Sequence, residues 1–342
     1  MNASNKPRFR VGLVGAGYVS KYHIRALQTI DYVTVIGVCD SDFDRALKVR
    51  KECGLPAAYR DLDEMASARP DVIHVLTPPA SHCELALRAM RMGCHVLVEK
   101  PMAGSVEECD RMIAAAREAG RILSVSHSAR MDPIVLEALR LTEGGACGDI
   151  LAVDFLRSSS YPPYAGGPMP AHYREGGYPF LDIGVHGLSL LEAFLGPIRD
   201  LDVHHHSTGR DPHLTFDEWH ALVRCEKAIG HLYLSWNVQP MQNELIIHGT
   251  HGVMHVDCCL QICTLRKRLP GPKIAQRIAS AVTTSASTIG KVAANVLRFS
   301  TGRLLPSPGI RASVVKFYEA LHQDVAPPVT AEEGRRVVAW AE

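Results

Sequence analysis

Arg10-Val11-Gly12-Leu13-Val14-Gly15-Ala16-Gly17-Tyr18-Val19-Ser20 decides how this chain begins to fold. The short, continuously apolar run into Val14 reads as a strand buried on both faces. It ends in a glycine turn, and the amphipathic pattern that follows reads as a helix. Gly15 permits the tight turn, and Gly17 lets a pyrophosphate approach the backbone at the helix N-terminus, with Tyr18 and Val19 completing the loop. Ser20 stands where this fingerprint usually has a third glycine, so a small polar side chain must fit where helix meets strand. Asp40 ends the next strand, 23 residues after Gly17. An acid there accepts hydrogen bonds from an adenosine ribose and favours NAD over NADP.

Outward from this turn, strand and helix alternate. Strands are predicted at 9–15, 33–39, 72–77, 95–98 and 122–126, with helices at about 19–29, 42–53, 80–92 and 105–118. With right-handed crossovers, this is a doubly wound parallel sheet of the Rossmann type. A helix near 132–142 is followed by longer alternating strands at 149–158, 199–207, 219–226, 229–236, 243–248 and 252–258. Tight turns between them, as at Glu226–Gly230 and His248–Gly252, imply a mostly antiparallel open sheet in an α+β domain. The expected organisation is a dinucleotide-binding domain over 1–127 and a substrate-binding and oligomerisation domain over 128–342.

Composition excludes several classes. The 342 residues carry a net charge of +1, which predicts no global attraction to nucleic acid. The start is polar, and neither a signal peptide nor an apolar run long enough to cross a bilayer is evident. The ten cysteines are scattered without a Cys-x-x-Cys pair, which reads as reduced thiols in a cytoplasmic protein. His204-His205-His206 lacks a second ligand pair, so no metal site is expected.

Two further stretches carry chemistry. Val75-Leu76-Thr77-Pro78-Pro79-Ala80-Ser81-His82, followed by His95-Val96-Leu97-Val98-Glu99-Lys100-Pro101, closely resembles the signature of the glucose–fructose oxidoreductase / inositol dehydrogenase (Gfo/Idh/MocA) family. Gly176-Gly177-Tyr178-Pro179-Phe180-Leu181-Asp182-Ile183-Gly184-Val185-His186 resembles its second signature. Ser20 and Tyr178 depart from the pattern, the latter bearing on the shape of the substrate pocket. The resemblance implies hydride transfer between a nicotinamide and a secondary hydroxyl of a sugar, nucleotide sugar or cyclitol. It assigns Lys100 to the hydroxyl, His186 to proton transfer and Asp182 to orientation, with the formal base open between Lys100 and His186. Such roles suit the residue types: a histidine titrates near neutrality, and an ammonium stabilises a developing alkoxide. Glu99 and Pro101 are implied to shape the nicotinamide contact, while Thr77, Pro78 and His82 line the cofactor cleft. Arg130, Tyr173 and Arg174 are candidates for substrate contact. Two other readings stay open: a regulator that binds NAD and sugar without turnover, and a redox-neutral glycosidase with no net NADH.

From Cys258 through Tyr318 there is no Asp or Glu but there are ten Lys or Arg, which leaves −9 on the rest of the chain. Ile274, Ile278, Val282, Ile289, Val292 and Val296 recur at near-helical spacing. The expectation is a helix packing on the sheet or on a second subunit. Peripheral contact of 266–303 with an anionic membrane ranks second, because Ala279, Ser280, Ala281 and Ser285 offer little to bury. A homo-oligomer, dimer or tetramer, is expected through the C-terminal sheet. Thr330 reads as the cap of a last helix reaching Glu342 with no stop signal, so continuation into a further domain stays open.

Overall fold

The apolar runs of the first part of the chain become parallel strands in the computed structural model, which describes residues 8–159, 177, 179–210, 214–267, 271–302 and 306–342. In chain order these are β1 (Phe9–Val14), α1 (Ser20–Leu27), β2 (Val33–Cys39), α2 (Phe43–Cys53), β3 (Ala58–Tyr59), α3 (Leu62–Ala66), β4 (Val72–Val75), α4 (His82–Arg91), β5 (His95–Glu99), α5 (Val106–Ala119) and β6 (Leu123–Ser126). The sheet order β3-β2-β1-β4-β5-β6 is that of a doubly wound nucleotide-binding fold. Val11, Leu13, Val72, Ile73, Val96 and Leu97 are fully buried, as strands covered by helices on both faces must be.

The rest comprises α6 (Pro133–Glu143), β7 (Ile150–Ser158), α7 (Val185–Leu195), β8 (Ile198–His206), β9 (Glu218–Cys225), β10 (Ile229–Ser235), β11 (Asn243–Gly249), β12 (Gly252–Asp257), β13 (Ile262–Lys267), α8 (Lys273–Ser300), α9 (Pro308–Gln323) and α10 (Ala331–Ala341). Seven strands form a second sheet in the order β13-β12-β11-β7-β10-β9-β8. All its described pairings are antiparallel except β7 with β10. The edge strand β13 lies beyond the strands expected from the sequence. Against one face lies α7, whose Leu188, Leu190, Leu191, Phe194 and Leu195 are buried. Gly187 allows that approach: a Cβ there would come within 2.3 Å of a Leu232 methyl and 2.7 Å of the Phe155 ring.

Two compact units result, one running to Met131 and including Gly309–Glu342, the other Asp132–Pro308. The segment from Gly309 on therefore joins the first unit, where 128–342 had been expected as one domain. The cause is apolar packing. Val314, Phe317 and Tyr318 of α9 complete the core around Val11, Leu13, Leu27, Val72 and Leu97. Farther on, the Ser124 hydroxyl donates to the Val329 carbonyl at 2.7 Å, and α10 opens with a Thr330–Glu333 capping box. All ten cysteines are thiols.

Candidate active site

The dinucleotide half of the site is built at the carboxyl ends of the parallel strands, where ligands enter open α/β sheets. Gly15 has φ +101°, and a Cβ on it would come 2.7 Å from the Leu76 carbonyl oxygen, so only glycine lets β1 turn this close to the end of β4. Its amide donates to the Cys39 carbonyl at 2.8 Å. The next amide, of Ala16, donates to Asp40 Oδ2 at 2.8 Å, while Asp40 Oδ1 accepts from the Asp42 amide at 2.9 Å. Asp40 thus stitches the glycine turn to the end of β2. A Cβ on Gly17 would meet open space, and α1 begins without a side-chain cap. The buried Ser20 hydroxyl donates to the Gly17 carbonyl at 2.6 Å, closing the turn with a hydrogen bond in the position where the fingerprint has glycine. Tyr18 is exposed, its hydroxyl 2.7 Å from that of Tyr22. An open, glycine-lined turn at a helix N-terminus beside a carboxylate fits a pyrophosphate and an adenosine ribose.

Beyond β4, Thr77 is half-buried and Pro78 exposed. His82 is fully buried, with Nε2 2.7 Å from the Thr77 carbonyl and Nδ1 2.9 Å from that of Pro101. Burial pushes its pKa down. It packs between the loop after β4 and the loop after β5, its single N–H donating to one of the two carbonyls. Half-buried Lys100 follows β5, and its amide donates to Glu99 Oε2 at 3.3 Å. The Lys100–Pro101 peptide is cis.

Behind Glu99 runs a row of buried groups that the sequence reading missed. Glu99 Oε1 lies 3.1 Å from His23 Nε2, His23 Nδ1 lies 2.9 Å from His74 Nδ1, and His74 Nε2 lies 3.0 Å from the Tyr318 hydroxyl. Burial alone would raise the Glu99 carboxyl, but the His23 hydrogen bond and the Lys100 charge outweigh it and hold it below the usual range. Burial holds His74 well below its ordinary pKa and Tyr318 well above. An ionised Glu99 only accepts, a neutral imidazole carries one N–H and the phenol keeps its proton. Within this row His23 donates from Nε2 to Glu99. Sequence offers no signal for this, because its members lie 51 to 244 residues apart.

After β6, His127 is buried, and neither ring nitrogen is hydrogen-bonded by a described residue. Burial first, then the nearby Arg130 cation, lowers its pKa to about 4. Arg130 itself donates from Nη1 to Glu333 Oε1 at 2.8 Å. That ion pair ties the turn after β6 to α10.

In the second unit, a π-helical turn over Phe180–Gly184 leads straight into α7. It supplies buried Asp182, and the first turn of α7 supplies half-buried His186, four residues on. Arg157, at the end of β7, is a further residue the sequence reading passed over. Burial lowers its pKa, with the Asp182 carboxylate among the charges pulling it back up. No described residue accepts from its buried Nε. Tyr173, Arg174 and Tyr178 lie outside the described residues. Among those described, no group of three or more His, Cys, Asp or Glu is placed to hold a metal ion.

Comparison with known proteins gives two matches to one family. Residues 9–127 match the model described as an oxidoreductase family with an NAD-binding Rossmann fold, and residues 135–255 match the GFO/IDH/MocA C-terminal domain. The chain belongs to the Gfo/Idh/MocA oxidoreductase family. Among curated members it is 30% identical to the D-glucoside 3-dehydrogenase of Escherichia coli, over 57% of this chain and 56% of that one. It is 28% identical to the myo-inositol 2-dehydrogenase of Thermotoga maritima, over 55% of each. The matched region thus spans about half the length of these relatives. In fold it resembles the WlbA dehydrogenase of Bordetella pertussis, solved with NADH and UDP-GlcNAcA. The TM-score is 0.76 at 22% identity, covering 97% of this chain and 93% of that one.

Proposed function

We propose that this Gfo/Idh/MocA member is an NAD-dependent dehydrogenase acting on a secondary hydroxyl of a sugar, nucleotide sugar or cyclitol. The observation that carries the reading is Lys100: a half-buried ammonium directly after β5, on the same sheet edge as the glycine turn and beside an ionised Glu99. The named activities of relatives, on a glucoside and an inositol, support the substrate class.

Gly15 to Val19 would cradle the pyrophosphate and Asp40 the ribose, and a nicotinamide bound there supplies the hydride acceptor. Lys100 lowers the pKa of the substrate hydroxyl and stabilises negative charge growing on its oxygen. The proton leaving that oxygen passes to the His186 imidazole while Lys100 stays an ammonium, or to Lys100 where it binds as the neutral amine and becomes the ammonium as it takes the proton. Asp182 orients the substrate, and the Arg157 cation favours its ionised form. Assembly as a homo-oligomer uses the outer face of the second sheet, where Leu222 and Ile229 are exposed.

A panel of sugars, nucleotide sugars and cyclitols read by NADH absorbance tests this. With an accepted substrate, Lys100→Ala and His186→Ala should each lower turnover by roughly 10²–10⁴ while NAD binding stays nearly intact. Loss of only a few-fold would make that residue structural, and an activity independent of NAD would remove the assignment.

A further inference from the structure

Helix α8 turns its polar side toward its own unit and its apolar side away from it. Along its 28 residues Asn295 is the buried one, with Nδ2 donating to the carbonyls of Leu260 at 2.8 Å and Gln261 at 2.9 Å. Lys291 Nζ donates to the Cys263 carbonyl. The half-exposed positions Gln276, Ser280, Thr284 and Thr288 step along that same side, four residues apart. On the opposite side, Ile274, Ile278, Val282, Ile289, Val296 and Phe299 are each between 60 and 74% exposed. The expectation is a helix packing on the sheet or on a second subunit, and its own sheet does not cover the stripe. Instead the polar face meets β13 and the turn before it: Cys263 in the strand accepts from Lys291, and Leu260 and Gln261 ahead of it accept from Asn295.

Spacing and charge say what kind of partner fits. The series 274, 278, 281, 285, 289, 292, 296 repeats at close to 3.67 residues per turn, so the stripe runs nearly straight for about 33 Å. Large isolated apolar stripes on a soluble surface mark interaction sites. The surrounding segment, from Cys258 to Tyr318, carries ten Lys or Arg and no acid. Among them Arg266, Lys267, Lys273 and Arg277 are exposed at the end of β13 and the start of α8. Pairing two copies of this chain through the stripe would bring together two such segments without one carboxylate between them. An anionic bilayer supplies both the apolar phase and the missing counter-charge.

We propose that α8 lies flat on an anionic phospholipid surface, its Ile–Val–Phe stripe in the headgroup–acyl boundary and the exposed Arg266, Lys267, Lys273 and Arg277 at one end on the phosphates. Ala281 and Ser285 interrupt the stripe, which makes the insertion shallow and reversible. Among the described residues no helix is long and apolar enough to cross a membrane, so α8 rests on the surface and does not span it. The remaining −9 of the chain is repelled by the same lipids, which leaves the basic segment as the contacting side.

Flotation of the full chain with vesicles tests the proposal. Vesicles containing phosphatidylglycerol should carry at least about tenfold more protein than phosphatidylcholine alone, and raised salt should release it. The triple variant I278S/I289S/V296S changes exposed positions only, so its circular dichroism should match the parent while vesicle binding drops roughly tenfold or more. Absence of flotation with both lipids, or equal flotation with both, overturns the idea. So does a solution mass that the triple substitution halves, since a second copy then covers the stripe. NAD affinity measured on the same samples tests the dehydrogenase reading separately.

Discussion

Asp40 performs two tasks with one carboxylate. Its oxygens accept from the Ala16 and Asp42 amides, and Arg45 approaches Oδ2 at 3.7 Å. A 2′-phosphate placed there would face the carboxylates of both Asp40 and Asp42, the latter already paired with Arg45 at 3.3 Å. NAD should therefore bind about ten- to a hundredfold more tightly than NADP, the worth of one charged hydrogen bond. Asp40→Ala should erase that preference and weaken both cofactors, because it also releases the Ala16 amide. Titration of the two dinucleotides against both proteins checks this, and tighter binding of NADP by the parent would transfer the 2′ contact to Arg45. At this scale the sequence was legible where chemistry is local: Gly15, Gly17, Asp40 and Lys100 follow their strands within three residues. It was silent on Tyr318, His74 and His23, which become neighbours only when α9 closes on the sheet.

Helix α7 depends on a missing side chain. With a Cβ at Gly187 pressed to within 2.3 Å of Leu232 and 2.7 Å of Phe155, Gly187→Val should cost about 1–3 kcal/mol or more by overpacking. Because Gly187 follows His186, the shift should also lower kcat with an accepted substrate. Urea unfolding of the variant decides it: a change within about 0.5 kcal/mol would mean the helix tolerates a wider gap than described. Elements were readable where pattern and length agreed. The apolar runs of β1, β2, β4, β5 and β6 and the alternating β7 to β12 carry strong periodicity. The two residues of β3 are too few to show any, and β13 passes from Ile-Cys-Thr-Leu into Arg266-Lys267, blurring its alternation. For α8 the periodicity located the helix but not its facing. Amphipathicity says that one face is apolar, whereas the donors Lys291 and Asn295 determine which face meets the protein.

The molecule as a whole carries several histidines buried without charge. Burial holds His74, His82 and His127 below their ordinary pKa, the last at about 4. The unfolded chain binds those protons near pH 6.5 and the folded chain does not, so stability is full above that pH and falls as it is lowered toward 4. Lowering the pH from 7 to 5 should cost about 2 kcal/mol through His127 alone. Carboxylates held low by their partners, such as Glu99 and Glu333, extend the loss to still lower pH. His127→Asn should flatten the profile between pH 7 and 5, read as the urea midpoint. Parallel profiles for variant and parent would show that His127 takes up its proton in the folded state.

The return of α9 and α10 to the first unit makes Asp132–Pro308 an insertion within it, and this orders events during synthesis. A ribosome releases the strands of the parallel sheet first, yet that sheet lacks Val314, Phe317 and Tyr318 until the inserted unit has been made. At usual elongation rates the delay between Met131 and Tyr318 is roughly 10–40 s. Throughout it, the core around Val11 and Leu13 lacks its final layer, while the inserted unit already has all its strands. The nascent chain thus completes its second sheet before the core that covers its first, and a chaperone has most to shield in the part made earliest.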